Sequence, residues 1–129
     1  MSLRDDTFSA DDLATEDVTV GGRTYRVREC GADAAVEHYD EVAAERERLG
    51  KEPRGLWVLS RLIVRCVVDP DTGALVFDQP GDADALLKKS QRLVLALGNA
   101  ANRVCYAGGE AKKASGESTA VPSSAPSTN

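Results

Sequence analysis

Hydrophobic residues crowd most densely between Leu56 and Val68, where ten apolar side chains are interrupted by Arg61 and Arg65, one helical turn apart. Arg54 lies seven residues before Arg61. At about 100° per residue the three arginines share one narrow stripe of a helix whose other faces are apolar. The pattern predicts a helix over Arg54–Val68 at the centre of a small fold. Asp69-Pro70-Asp71-Thr72-Gly73 stops it as a tight turn. Leu75–Phe77 then resumes as a short apolar run.

Two further segments carry apolar residues at three- and four-residue spacing. In Ala32–Leu49 these are Ala35, Val36, Tyr39, Val42, Ala43 and Leu49, a face expected to be buried. Asp33, Glu37, Asp40, Glu41, Glu45, Glu47 and Arg48 fall on the side expected to meet water. Gly50 and Pro53 end this helix. In Ser90–Tyr106 the stripe is Leu93, Val94, Leu97, Ala101, Val104 and Cys105, with Ser90 as cap. Gly98 inside it marks a close helix contact or a bend. Ala83–Leu87 is a short helix begun by Asp82 or Asp84.

Period-two alternation appears once. Val18 and Val20 flank Thr19, Tyr25 and Val27 flank Arg26, and Gly21-Gly22 supplies the positive φ of a tight turn. The expected fold is therefore mainly α with a small N-terminal β-hairpin, an α+β chain. About four helices form a compact bundle within residues 18–106. Residues 1–17 form an acidic arm, with one capped turn at Ser9–Leu13. Residues 107–129 are dominated by Gly, Ser, Thr, Pro and Ala and are expected to be a disordered tail.

Charge and composition then narrow the function. A net charge of −5 argues against general nucleic-acid binding. The acidic start lacks the basic and apolar regions of a signal peptide. The run at 56–68 is too short, and too interrupted by arginine, to span a membrane. Three widely spaced cysteines, Cys30, Cys66 and Cys105, suit free thiols in a reducing compartment. With one histidine and no CxxC, a zinc site is not expected. His38, the lone imidazole, reads as a surface or boundary residue rather than a base. Asp69 and Asp71 begin like a calcium loop, but Gly73 comes one residue early and no glutamate closes it. Gly21-Gly22 belongs to no phosphate-binding pattern. No catalytic, cofactor or metal site is read here. A binding or assembly protein is expected, not an enzyme.

The order of elements and several of their pieces resemble the tail assembly chaperones of long-tailed bacteriophages and prophages. The pieces are Arg26-Val27-Arg28-Glu29, Leu62–Asp69 running into the Asp-Pro-Asp-Thr-Gly turn, Leu75-Val76-Phe77, Ala85–Ser90, and Asn99 in a Leu-rich last helix. They span residues 18–106. The middle of that helix departs from the pattern, with Leu95-Ala96-Leu97 where an aromatic is usual and Leu97-Gly98-Asn99 in reversed order. The resemblance implies a non-enzymatic protein of the host bacterial cytoplasm. It would coat the tape measure protein, keep it soluble, recruit tail tube subunits and be absent from the finished virion. It also implies a longer form made by ribosomal frameshifting; Ala111-Lys112-Lys113 can be encoded by a slippery codon run, and its plainer reading is a lysine pair in a polar tail. A structural head–tail connector or tail-completion protein is the alternative.

The residues expected to meet a client or a second copy are Arg54, Trp57, Arg61, Arg65, Leu93, Val94 and Leu97. Apolar anchors at this spacing suit helix-in-groove binding. Apolar stripes are core more often than interface, so each apolar one is first expected in the core, with Trp57 packing under the hairpin. The arginines have three possible partners: acids of a client, the acidic helix of a neighbouring copy, or Glu41 and Glu45 of the same chain.

Overall fold

A computed structural model describes residues 2–107. The expected tail and its Ala111–Lys113 run lie outside the described residues. A short helix α1 (Leu3–Ser9) leads into strands β1 (Thr15–Val20) and β2 (Arg23–Arg28). Helices α2 (Ala32–Leu49) and α3 (Gly55–Cys66) follow, then strand β3 (Val67–Val68). The short α4 (Asp82–Leu86) and the longer α5 (Gln91–Asn102) complete the order. The last turn, Arg103–Ala107, widens from α to π. The result is the expected mostly helical α+β chain, with three antiparallel strands instead of two.

The hairpin turns at Gly21 and Gly22, with φ of 62° and 78°, as a two-residue turn with both φ positive requires. Its strands begin three residues earlier than the alternation of valines indicates, at Thr15. The polar start is held by ion pairs instead of apolar contact: Asp17 with Arg26 at 2.9 Å and Glu16 with Arg103 at 2.6 Å. Upstream, the helical turn is at Leu3–Ser9 and not at Ser9–Leu13. Ser2 caps it by accepting from the Asp5 amide at 3.1 Å, and Asp5 and Asp6 favour the positive helix end.

The helix predicted over Arg54–Val68 is shorter at both ends. Its last two residues leave it to pair with β2, Val67 opposite Val27 and Val68 opposite Arg26. Two consecutive β-branched side chains lose little by extending, and both become buried. The turn that follows is built as its sequence demands. The Asp69 carboxylate accepts from the amides of Asp71 and Thr72, and Gly73 closes it at φ 76°.

The core lies between α3, α5 and the inner face of the sheet. Leu62, Ile63, Cys66, Val94, Leu97, Ala100, Ala101 and Val27 are its buried centre. Ser90 caps α5 by accepting from the Leu93 amide at 3.1 Å. Gly98 marks a close approach of α5 to α3. A Cβ there would stand 2.8 Å from Leu59 Cδ1 and 3.0 Å from Leu59 Cβ. No helix among the described residues is long and apolar enough to cross a membrane.

Helix α2 does not bury the face its spacing nominates. Its bounds match the expectation, with Gly50 as left-handed cap at φ 72°. Yet Val36 and Tyr39 are each 55% exposed, and Ala43 and Leu49 also face water. The inward face is centred on His38, which is only 4% exposed and is neither a surface nor a boundary residue. Ala35 and Val42 lie half-buried on one side of it, Glu41 and Glu45 on the other. The helix is rolled this way because α3 presents arginines to it.

Candidate functional site

The arginine stripe of α3 is an internal ionic seam. Arg61 is 9% exposed. Its guanidinium donates to the Asp84 carboxylate of α4 at 2.5 Å and to Ser60 Oγ at 3.0 Å. It also lies 3.7 Å from the Glu41 carboxylate of α2 and 4.1 Å above the Trp57 ring. Arg65 pairs with Glu41 at 3.0 Å, approaches Glu37 at 3.8 Å, and donates to the Arg61 carbonyl at 2.8 Å. Of the three possible partners, the one adopted within the chain is Glu41, joined by Glu37 and Asp84. The seam ties α2 and α4 to the central helix, and Arg61 Nε is left buried without a hydrogen bond.

Arg54 stands apart, exposed at the start of α3. It and Trp57 line a cleft of about 370 Å³ with Glu45, Leu49, Glu52 and Pro53. Trp57 is half-buried there, beside the connection between α2 and α3. Leu93 is half-buried against the core, whereas Val94 at 2% and Leu97 at 0% exposure belong to the core itself. Of the nominated set Arg54 is exposed, Trp57, Arg65 and Leu93 are partly exposed, and Arg61, Val94 and Leu97 are buried.

Sequence reasoning placed one surface inside. Val36 and Tyr39 project from α2, and the Tyr39 ring lies 6.4 Å from that of Tyr106, itself 51% exposed. Together with Ala43 they form an apolar strip on an otherwise acidic helix. The signal was present in the spacing; the acidic residues expected outside are partly turned inward to Arg61 and Arg65.

His38 docks α2 onto α3 through Nε2, 3.2 Å from the Val58 carbonyl. Since a carbonyl only accepts, Nε2 carries the proton, and Nδ1 is buried without a partner. Burial pushes the imidazole below its ordinary value, helped by nearby Arg65 and opposed by the Val58 carbonyl and Glu41.

A second group was hidden by its separation in sequence. Cys105 Sγ lies 3.6 Å from Cys66 Sγ, 39 residues away, and 3.8 Å from Cys30 Sγ, 75 residues away. All three sulfurs lie within 4.8 Å of one another. They arrive from the loop after β2, the last turn of α3 and the π turn after α5, and all three are free thiols. Hydrogen bonding from the Cys66 thiol lowers Cys105 to about 6, against the opposing effect of burial. Donating that bond, with burial, raises Cys66, and burial raises Cys30 to about 11.

Comparison with known proteins rests on the fold. No family model matches the chain. No curated protein matches its sequence. Among solved structures the chain is similar to the tail assembly chaperone of bacteriophage HK97, with a TM-score of 0.50 and 17% identity. The likeness covers 77% of this chain and 90% of that one. The chain therefore has a tail assembly chaperone-like fold, as the order of its elements led one to expect.

Proposed function

We propose that the chain is a tail assembly chaperone of a bacteriophage or prophage, acting by binding and not by catalysis. The observation that carries this reading is the fold shared along most of both chains with the HK97 protein. Its client is the tape measure protein, a long helical chain that it keeps soluble while tail tube subunits are recruited. The reading places it in the host cytoplasm and outside the mature virion.

The surface supports such a role. The Val36–Tyr39–Ala43 strip, extended by Tyr106, is an apolar track on α2. The Trp57 cleft lies near the other end of the same helix, since Glu45 and Leu49 line it. Two apolar stations spaced along one helix fit an elongated amphipathic client better than a compact one. Acidic residues around the strip would steer a basic client helix and discourage self-aggregation.

Co-expression with the long helical protein encoded beside it tests the proposal. The expected result is a soluble complex that co-purifies and that is missing from purified particles. An insoluble helical protein in the presence of well-folded chaperone would overturn it, and so would the chain's recovery as a stoichiometric particle component.

A further inference from the structure

Cys30, Cys66 and Cys105 have no task in the proposed binding role. Three cysteines from three separate elements nevertheless converge on one point of the core edge. The Sγ separations of 3.6 and 3.8 Å are those of a coordination polyhedron. With metal–sulfur bonds of about 2.3 Å, tetrahedral angles put neighbouring sulfurs about 3.8 Å apart. The thiols would need only small shifts to face a common centre.

The donor set decides what such a centre holds. Among the described residues no histidine or carboxylate joins the three sulfurs within 4.8 Å. An all-sulfur set excludes hard oxygen-seeking cations such as magnesium and calcium. It selects a soft ion, since thiolates favour Cu(I) and Zn(II). Cys66 is fully buried, whereas Cys30 and Cys105 are half-exposed, so the cluster is closed on one side and approachable on the other. Cys105 itself sits in the widened π turn, an irregularity frequently found at functional sites.

We propose that these three cysteines form a binding site for one soft d10 cation. Cu(I) is satisfied by the three thiolates alone. Zn(II) takes the same three and keeps a fourth position on the half-exposed side. Both ions use the same chemistry, and the separate arms of the experiment distinguish them. The ion would add a covalent tie between the end of β2, α3 and the turn after α5, which the apolar core already packs together.

The full-length chain, fully reduced and free of metal, is titrated anaerobically with Zn(II) and, separately, with Cu(I), each against a competing chromophoric chelator. Co(II) serves as a spectroscopic probe of the zinc arm. The expected result is one ion per chain, a thiolate-to-cobalt charge-transfer band, and three sulfurs at about 2.3 Å by X-ray absorption. Cys30→Ala and Cys105→Ala, checked for folding by circular dichroism, should each weaken binding at least about 100-fold. The wild-type chain should also melt at a higher temperature with metal than without, a readout independent of the variants. Failure of the reduced wild-type chain to bind either ion stoichiometrically overturns the proposal, and so does unchanged affinity in folded Cys105→Ala. Exclusive Cu(I) binding assigns the three-coordinate form; exclusive Zn(II) binding assigns the form with an open position.

Discussion

Helices α2 and α5 carry nearly the same sequence signal and use it in opposite ways. Both repeat apolar residues at three- and four-residue spacing. In α5 the stripe enters the core: Val94, Leu97 and Ala101 are at most 2% exposed. In α2 most of the stripe, Val36, Tyr39, Ala43 and Leu49, is left in water. What differs is the face each meets on α3. Helix α5 meets Leu59 across Gly98 and can approach closely. Helix α2 meets Arg61 and Arg65, whose charges call for carboxylates, so Glu41 turns inward and the apolar strip is rolled outward. An apolar stripe alone does not say which face of a helix is buried. That depends on the opposing helix.

The sharpest break in the comparison is expected at α5. Leu97→Ala should cost about 2–5 kcal/mol, because Leu97 is fully buried and its removal leaves a cavity between α3 and α5. Chemical denaturation of the purified variant measures this directly. A loss below about 1 kcal/mol would mean that the α3–α5 interface is not the centre of stability.

Next in size is the seam that rolls α2. Arg61→Ala removes the contacts with Glu41, Asp84 and the Trp57 ring together. The expected loss is about 1–2 kcal/mol, less than for a deep core residue, because Asp84 and Glu41 regain water easily. Trp57 fluorescence should shift toward longer wavelength as the ring loses its cover. Arg54→Ala, which removes no ion pair, should do neither.

His38 gives the α2–α3 contact a pH dependence. Its folded value is depressed, chiefly by burial, below the ordinary histidine value of 6.5. The stability it preserves is full above the unfolded value, and is lost progressively as pH falls below it toward the folded value. A proton added at Nδ1 would have no acceptor in the interior. His38→Gln, which keeps a donor for the Val58 carbonyl, should flatten this part of the stability profile. The carboxylates with lowered values, Asp17 and Glu45, start from 3.8 and 4.5 and act at lower pH, so the two windows are separable. An unchanged profile in the variant would show that His38 is not the group responsible.

The fold was legible where one local rule acted alone. Gly21-Gly22, Gly50, Ser90 and the Asp69 turn could each be read because backbone conformation or a cap depends on that residue and its neighbours. Gly98 was legible as a close contact or a bend, and only the assembled fold, with Leu59 on the other side, decides for the contact. What could not be read was pairing between distant segments. Val67 and Val68 continue the periodicity of α3, and only the free edge of β2 draws them into a strand. The inward turn of His38 and the meeting of three cysteines depend likewise on how α2, α3 and α5 are assembled. The candidate site was legible in its arginines and Trp57, but the roll of α2 decided which of these residues a partner can reach.

The smallest effect on stability, and the most telling for the comparison, is expected on the exposed strip of α2. Val36→Asp and Tyr39→Ser each change a side chain that is 55% exposed, so stability should move by no more than about 0.5 kcal/mol. If the strip awaits an apolar partner, the same substitutions should abolish co-purification of the helical client while the chain stays folded. A pair of variants that are destabilised by several kcal/mol would instead place the strip in the fold, and α2 would be using its stripe as α5 does. A folded pair with undiminished client binding would move the contact to the Trp57 cleft, where Trp57→Ala is then expected to remove it. The two helices would still differ, but the difference would lie in the roll that the arginines impose and not in what the exposed face binds.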